Sequence, residues 1–323
     1  MNKTSHIIKT ISTLLVCTTM FSTCLKENFS DCPEDIRVYF SFENRSGELK
    51  SENIDQMNLY VFNDKGVFLY EYSEDSINFS NDYYIDCSNL YPGKFHFIAW
   101  AGKDKNSYTT YPDMFVRNKT NIKEAFIMLN QTDDYISEVI HPLFYSVLPT
   151  KITKTKEQYF TMPLELMTNT INIRTIGLPS DNNEYLFEIE DNFVSYQFDG
   201  SFGFNDMKGF NTSDIKYISP CFKNENSQIN STINILRLSA NRNSPQVQIL
   251  NKTEGSPLFP GKNDQTGNLI DLIKKANPNI DFENTHTYNI VLNYEAGEDT
   301  YFDGLSISIN GWEIRKQEEN LYD

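Results

Sequence analysis

The chain is 323 residues long, with 28 basic against 44 acidic side chains and a net charge of −16. That balance repels nucleic acid and anionic head groups, and so excludes DNA, RNA and polybasic membrane binding. Aromatics make up 14%, nearly all Tyr and Phe, which suits packed strands and argues against disorder.

The first stretch is a weakly basic run holding Lys3 and Lys9, then the apolar patch Ile11 to Phe21, then Ser22-Thr23-Cys24. Positive residues followed by a short apolar segment and small residues form the pattern of a secretory signal. The patch is too short and too rich in Thr and Ser to span a bilayer. Two small residues before a cysteine also resemble the lipobox of bacterial lipoproteins, with Phe21 in a slot that usually holds Leu. The resemblance implies removal of residues 1–23 and acylation of Cys24, with palmitate among the acyl groups; the plainer alternative is an ordinary secretory signal. Loss of Lys3 and Lys9 would take −16 to −18. Residues 24–34 are polar, lack apolar periodicity and read as a tether. Lys26-Glu27 resembles the surface-export signal of lipoproteins in the Bacteroides group.

Alternating Ile36, Val38, Phe40 and Phe42 predict a half-buried strand. Met57 to Phe62 and Val67 to Tyr72 flank Asn63-Asp64-Lys65-Gly66, a hairpin pattern. Lys94 to Gly102 is apolar at nearly every position, as in a strand covered on both faces. Lys103 to Arg117 reads as loop, and Lys123 to Leu129 as a strand or short helix. His141 to Tyr145 is extended, since Pro142 disfavours helix before it. A basic, Thr-rich stretch, Lys151 to Lys156, precedes a fresh strand at Gln158. The domain boundary is placed there, within about ten residues: an N-terminal domain over 35–157 and a C-terminal one over 158–323. Further strands are expected at Leu166 to Ile176, Tyr185 to Ile189, Asn192 to Phe198, Thr232 to Leu238, Gln246 to Leu250, Thr287 to Tyr294 and Leu305 to Ile309. Asp199 to Glu225 reads as long surface loops, and Asn268 to Lys275 as a capped helix with lysines at its C-terminal end. The fold class is all-β, as two Greek-key-like β-sandwiches.

Five cysteines are present: Cys17, Cys24, Cys32, Cys87 and Cys221. None shows metal spacing. One disulfide among the last three fits an exported protein, with Cys32–Cys87 the first choice because both fall in the first half; free buried cysteines are the alternative. The histidines after the signal, His96, His141 and His286, are scattered, and no nucleophile, phosphate-loop or zinc motif occurs. Neither a catalytic set, a metal site nor a cofactor is expected. Glu298-Asp299 to Asp303-Gly304 carries enough oxygens for Ca²⁺, but a solvated turn explains it better. Asp75-Ser76-Ile77 resembles the O-glycosylation site of exported Bacteroides-group proteins, with Ser76 the acceptor.

Several patterns together resemble one family, the fimbrial anchor lipoproteins of the Bacteroidales, FimB type. They include Asp31-Cys32-Pro33 after the lipid cysteine, Leu59 to Phe62 with its Gly66 hairpin, Leu90 to Phe95 leading to Ala99-Trp100, Leu143 to Tyr145, Ile176-Gly177-Leu178, Arg237-Leu238, the Asp271-Leu272 helix and Ile309 to Trp312. The resemblance implies two transthyretin-like domains and a lipoprotein that anchors a fimbrium to the outer membrane and helps set its length. Its partners would be pilin subunits and, through the lipid, the membrane. Strand addition at an open sheet edge suits such a contact; Leu305, Ile307 and Ile309 mark the candidate strand, with Thr287 to Tyr294 beside it. Those strands closing their own sheet is the alternative. A binding module is the second reading, a tip adhesin or a glycan-capturing lipoprotein, with Tyr83-Tyr84 or Tyr108 to Tyr111 stacking on sugar.

Overall fold

The computed structural model describes residues 35–42, 54–80, 82–130, 135–137, 139–178, 183–203, 215–221, 228–260, 267–296, 302–309 and 311–314. Strand β1 (Asp35–Phe42) turns Ile36, Val38 and Phe40 inward, as its alternation requires. β2 (Gln56–Asn63) and β3 (Phe68–Asp75) form the expected hairpin. Gly66 takes φ 75°, and Asn63 Oδ1 accepts from the backbone N–H of Lys65 at 2.9 Å and of Val67 at 3.0 Å. With β4 (Tyr84–Asp86), β5 (Gly93–Ala101), β9 (Phe144–Ile152) and β10 (Glu157–Leu166) they make a seven-stranded sheet, ordered β3-β2-β5-β9-β10-β1-β4. β9 and β10 pair only at Glu165↔Tyr145 and Leu166↔Phe144. There the sheet folds over, so that β10-β1-β4 closes one core on β2 and β5: Val38, Phe40 and Met162 against Leu59, Val61 and Phe97.

β10 was expected to open the second half. It instead runs parallel to β1 along its length, Asp35↔Glu157 to Phe42↔Leu164. Sheet membership changes at Met167, between β10 and β11. The basic, Thr-rich stretch before it is the β9–β10 connection, whose polarity reflects exposure rather than a linker.

In the second half, β11 (Thr168–Ile176), β15 (Asn230–Leu236), β18 (Thr287–Ala296), β19 (Phe302–Ile309) and β20 (Trp312–Ile314) form a sheet ordered β15-β11-β18-β19-β20. Facing it is β17-β16-β12-β14-β8, from β8 (Tyr135–Ile136), β12 (Tyr185–Asp191), β14 (Ile215–Cys221), β16 (Gln246–Asn251) and β17 (Ser256–Phe259). Ile171, Ile233 and Tyr288 from the first meet Phe187, Tyr217 and Ile249 from the second. Helix α1 (Leu269–Ala276) lays Leu269, Ile270, Leu272 and Ile273 into the same core; Asn268 Oδ1 caps it by accepting from Asp271 N at 2.9 Å. β14 lies inside the region expected to be loop, and β6 (Tyr108–Tyr111) inside Lys103 to Arg117.

The halves are sewn together. β7 (Phe126–Leu129) pairs with β6 on one side and with β13 (Ser195–Gln197) on the other, and β8 pairs in parallel with β14. The small β13-β7-β6 sheet covers the outer face of β2 and β5, which is why Lys94 to Gly102 is apolar on both sides. Phe97 and Ala99 enter one core, Ile98 and Trp100 the other. Trp100 packs on Tyr145, Tyr196 and Phe198 at centroid distances of 4.7, 6.1 and 6.2 Å.

Candidate functional site

Cys24 and Cys32 lie outside the described residues. Cys87 follows β4, is buried, and hydrogen-bonds with the hydroxyl of Tyr72. Burial pushes its thiol up to about 12, against the lowering effect of that bond. At pH 8 the thiolate fraction is then on the order of 10⁻⁴. Native Cys87 should resist iodoacetamide and be alkylated only in denaturant with reductant, as read by intact mass; rapid labelling of the folded protein would contradict this burial. Ser76 directly follows β3, exposed and at φ 59°.

The expected contact strand is β19, and it is not an edge. β18 pairs with it from Phe302 to Ile309 on one side, while β20 covers Ile307, Ser308 and Ile309 on the other. β18 is interior as well, between β11 and β19. The register sets Leu305, Ile307 and Ile309 opposite Tyr294, Leu292 and Ile290, and the last two are buried. β-rich sequence near the chain end identified a strand but carried no information about its neighbours. What remains open among the described residues is the backbone of Phe302–Ser306, paired on the β18 side alone.

The tyrosines proposed for sugar stacking divide. Tyr108 is buried and donates to the carbonyl of His141 at 2.5 Å; the Tyr83 ring packs on Phe40 and Phe79. Burial removes Tyr108 as a platform, whereas Tyr83 is half-buried and Tyr111 is exposed. Tyr84 is exposed and joins a cluster that the sequence reading did not assemble, because its members come from three strands. Tyr39 lies 5.4 Å from Tyr84 and 6.2 Å from Tyr159, and the Arg37 guanidinium sits 4.7 and 5.8 Å from the same two rings. Arg37 also pairs with Asp35 at 2.9 Å. Such cross-strand contacts stabilise an open sheet face.

Among the described residues no group of three His, Cys, Asp or Glu side chains could hold a metal ion, and no helix is long and apolar enough to cross a membrane. Asp303 and Gly304 belong to β19 rather than to a tight loop. Asp191 with Arg242 is a buried ion pair between β12 and the segment after β15.

These packed, interlocked sheets are a fold shared with bacterial surface fibre proteins. The fimbrial anchor protein Mfa2 of Porphyromonas gingivalis superposes with a TM-score of 0.69 at 19% identity, over 88% of this chain and 99% of that one. A candidate polysaccharide-binding protein of Bacteroides thetaiotaomicron gives 0.69 at 20% identity, over 90% and 99%. A candidate adhesin of Bacteroides ovatus gives 0.70 at 14%, over 89% and 100%. No curated protein matches the sequence. Residues 29–318 match the family model of fimbrillin-A associated anchor proteins Mfa1 and Mfa2, and the chain belongs to that family. Its role is therefore fimbrial and structural, at the cell surface and in company with fimbrial subunits.

Proposed function

We propose that this protein anchors a fimbrium to the outer membrane through lipid on Cys24, after removal of residues 1–23, and helps set the length of the fibre. The observation that carries the reading is membership of the anchor family across residues 29–318. One acyl chain gives marginal membrane residence, whereas two or more hold a protein stably. Multiple acylation of Cys24 therefore suits a part that must not let go, and Lys26-Glu27 after it suits export to the outer surface. The pilin joins by strand addition beside β19. Phe302–Ser306 has one open backbone side among the described residues, and β20, three residues long, is a short strand to displace. Ser76, exposed at the end of β3, is the O-glycan acceptor.

Deleting the gene, or replacing Cys24→Ala, should release fibres into the medium, and mass spectrometry of the mature N-terminus should find acylated Cys24. Cell-bound fimbriae of normal length in the deletion strain would remove the anchor role. Hydrogen exchange tests the contact separately: purified pilin should slow the amides of Phe302–Ser306. Unchanged exchange there, with pilin bound, moves the contact elsewhere.

A further inference from the structure

The outward face of the β15-β11-β18 sheet is built mainly of Asn and Thr. Asn is depleted from strands, because its short polar side chain neither packs on a pleated surface nor favours extended backbone. Here Asn172, Asn234 and Asn289 lie within three neighbouring strands and join across them. Thr232 Oγ1 donates to Asn172 Oδ1, and Asn172 Nδ2 donates to Asn289 Oδ1, each at 2.9 Å between directly opposed positions. One step along, Thr170 Oγ1 donates to Asn234 Oδ1 at 2.9 Å, and Asn234 Nδ2 to the carbonyl of Ile140 at 2.9 Å. Thr232 and Asn289 are exposed and Asn172 is half-buried, so the line of amides is fixed by its neighbours yet open to solvent. Residues that break a local propensity without strengthening the core are expected where function requires them.

An open hollow of about 480 Å³ lies over this array, lined by Asn172, Arg174, Asn230, Thr232 and Asn289. Small-ligand sites run from about 300 to 1,000 Å³. Among the described residues no carboxylate lines the hollow. The one charge among the described lining residues, Arg174, is bonded to Gln228 Oε1 at 3.0 Å. We propose that this face is a binding site for a neutral glycan. A side-chain amide donates and accepts at once, as a sugar hydroxyl does, and amides held by one another meet the ligand with little rotamer entropy left to lose. An apolar ligand would strip water from them without returning hydrogen bonds. The inference does not depend on the anchor role.

The test passes the mature protein over columns of dextran, yeast mannan and galactan, and titrates neutral hexasaccharides of the same sugars by calorimetry. Retention on one of these is expected, weakened at least tenfold in Asn172→Ala/Asn289→Ala with the melting temperature unchanged. Asn172→Thr, a better strand former, keeps the fold intact and should weaken binding too. Failure of the wild type to bind any of the three, or undiminished binding in the variants, overturns the proposal. It falls equally if the variants lose pilin while no glycan is held, which would make the face a protein-docking surface.

Discussion

Asp191→Ala should destabilise the protein by about 3–5 kcal/mol, the usual cost of leaving one buried charge without its partner. Asp191 ends β12 and is 0% exposed; Arg242, in the segment after β15, is 2% exposed. Arg242 Nη2 donates to Asp191 Oδ2, and Nη1 donates to the Arg237 carbonyl at 2.6 Å. Ser244 Oγ donates to Asp191 Oδ1 at 2.6 Å, while Phe193 and Phe202 flank the guanidinium at 4.5 and 5.1 Å. The pair thereby ties β12 of one sheet to the end of β15 in the other. A denaturation midpoint in urea reads the loss. The double variant Asp191→Leu/Arg242→Leu should lose much less, because no charge is stranded. Equal losses in single and double variants would mean that the site contributes packing alone.

Trp100→Ala should cost a similar amount, about 3–5 kcal/mol, as large-to-small changes in a tight core do. The indole is fully buried in the seam between the two halves, against Tyr145, Tyr196 and Phe198. Gly200 shows how little room the seam has, since a Cβ there would meet the Tyr145 ring at 2.3 Å. Trp100→Phe should cost distinctly less, because the indole N–H is buried without a hydrogen-bond partner and the smaller ring removes that penalty. The measurement is thermal unfolding with limited proteolysis. If the halves remain coupled in Trp100→Ala, with a melting temperature within a degree of the parent, the seam is held by other contacts.

Much of the fold was legible because its strands obey a period. β1 alternates, the Gly66 hairpin carries its turn residues, and β5 is apolar on both sides because two cores claim it. Helix α1 was marked by Asn268 and its closing lysines. The misses share one physical origin. β6 and β8 are four and two residues long, too short to display a period; β8 exists because β14 of the other half pairs with it, and β6 because it pairs with β7, which β13 of the other half holds on its far side. β14 lay hidden among Gly, Asn and Ser. The sheet that β10 joins was not legible because its parallel pairing with β1 spans more than a hundred residues of sequence and leaves no local trace. The same holds for surfaces. Tyr39, Tyr84 and Tyr159 meet only after the sheet forms, and whether β19 is an edge depends on β20.

The parallel union of β1 and β10 decides how the first domain answers a tug. Asp35 is the end of β1 nearer the chain's beginning, and Leu166 is the end of β10 that leads into the second half. Tension entering at one and leaving at the other drags the two strands past each other lengthwise. All eight register pairs from Asp35↔Glu157 to Phe42↔Leu164 are then sheared together, instead of unzipping one by one.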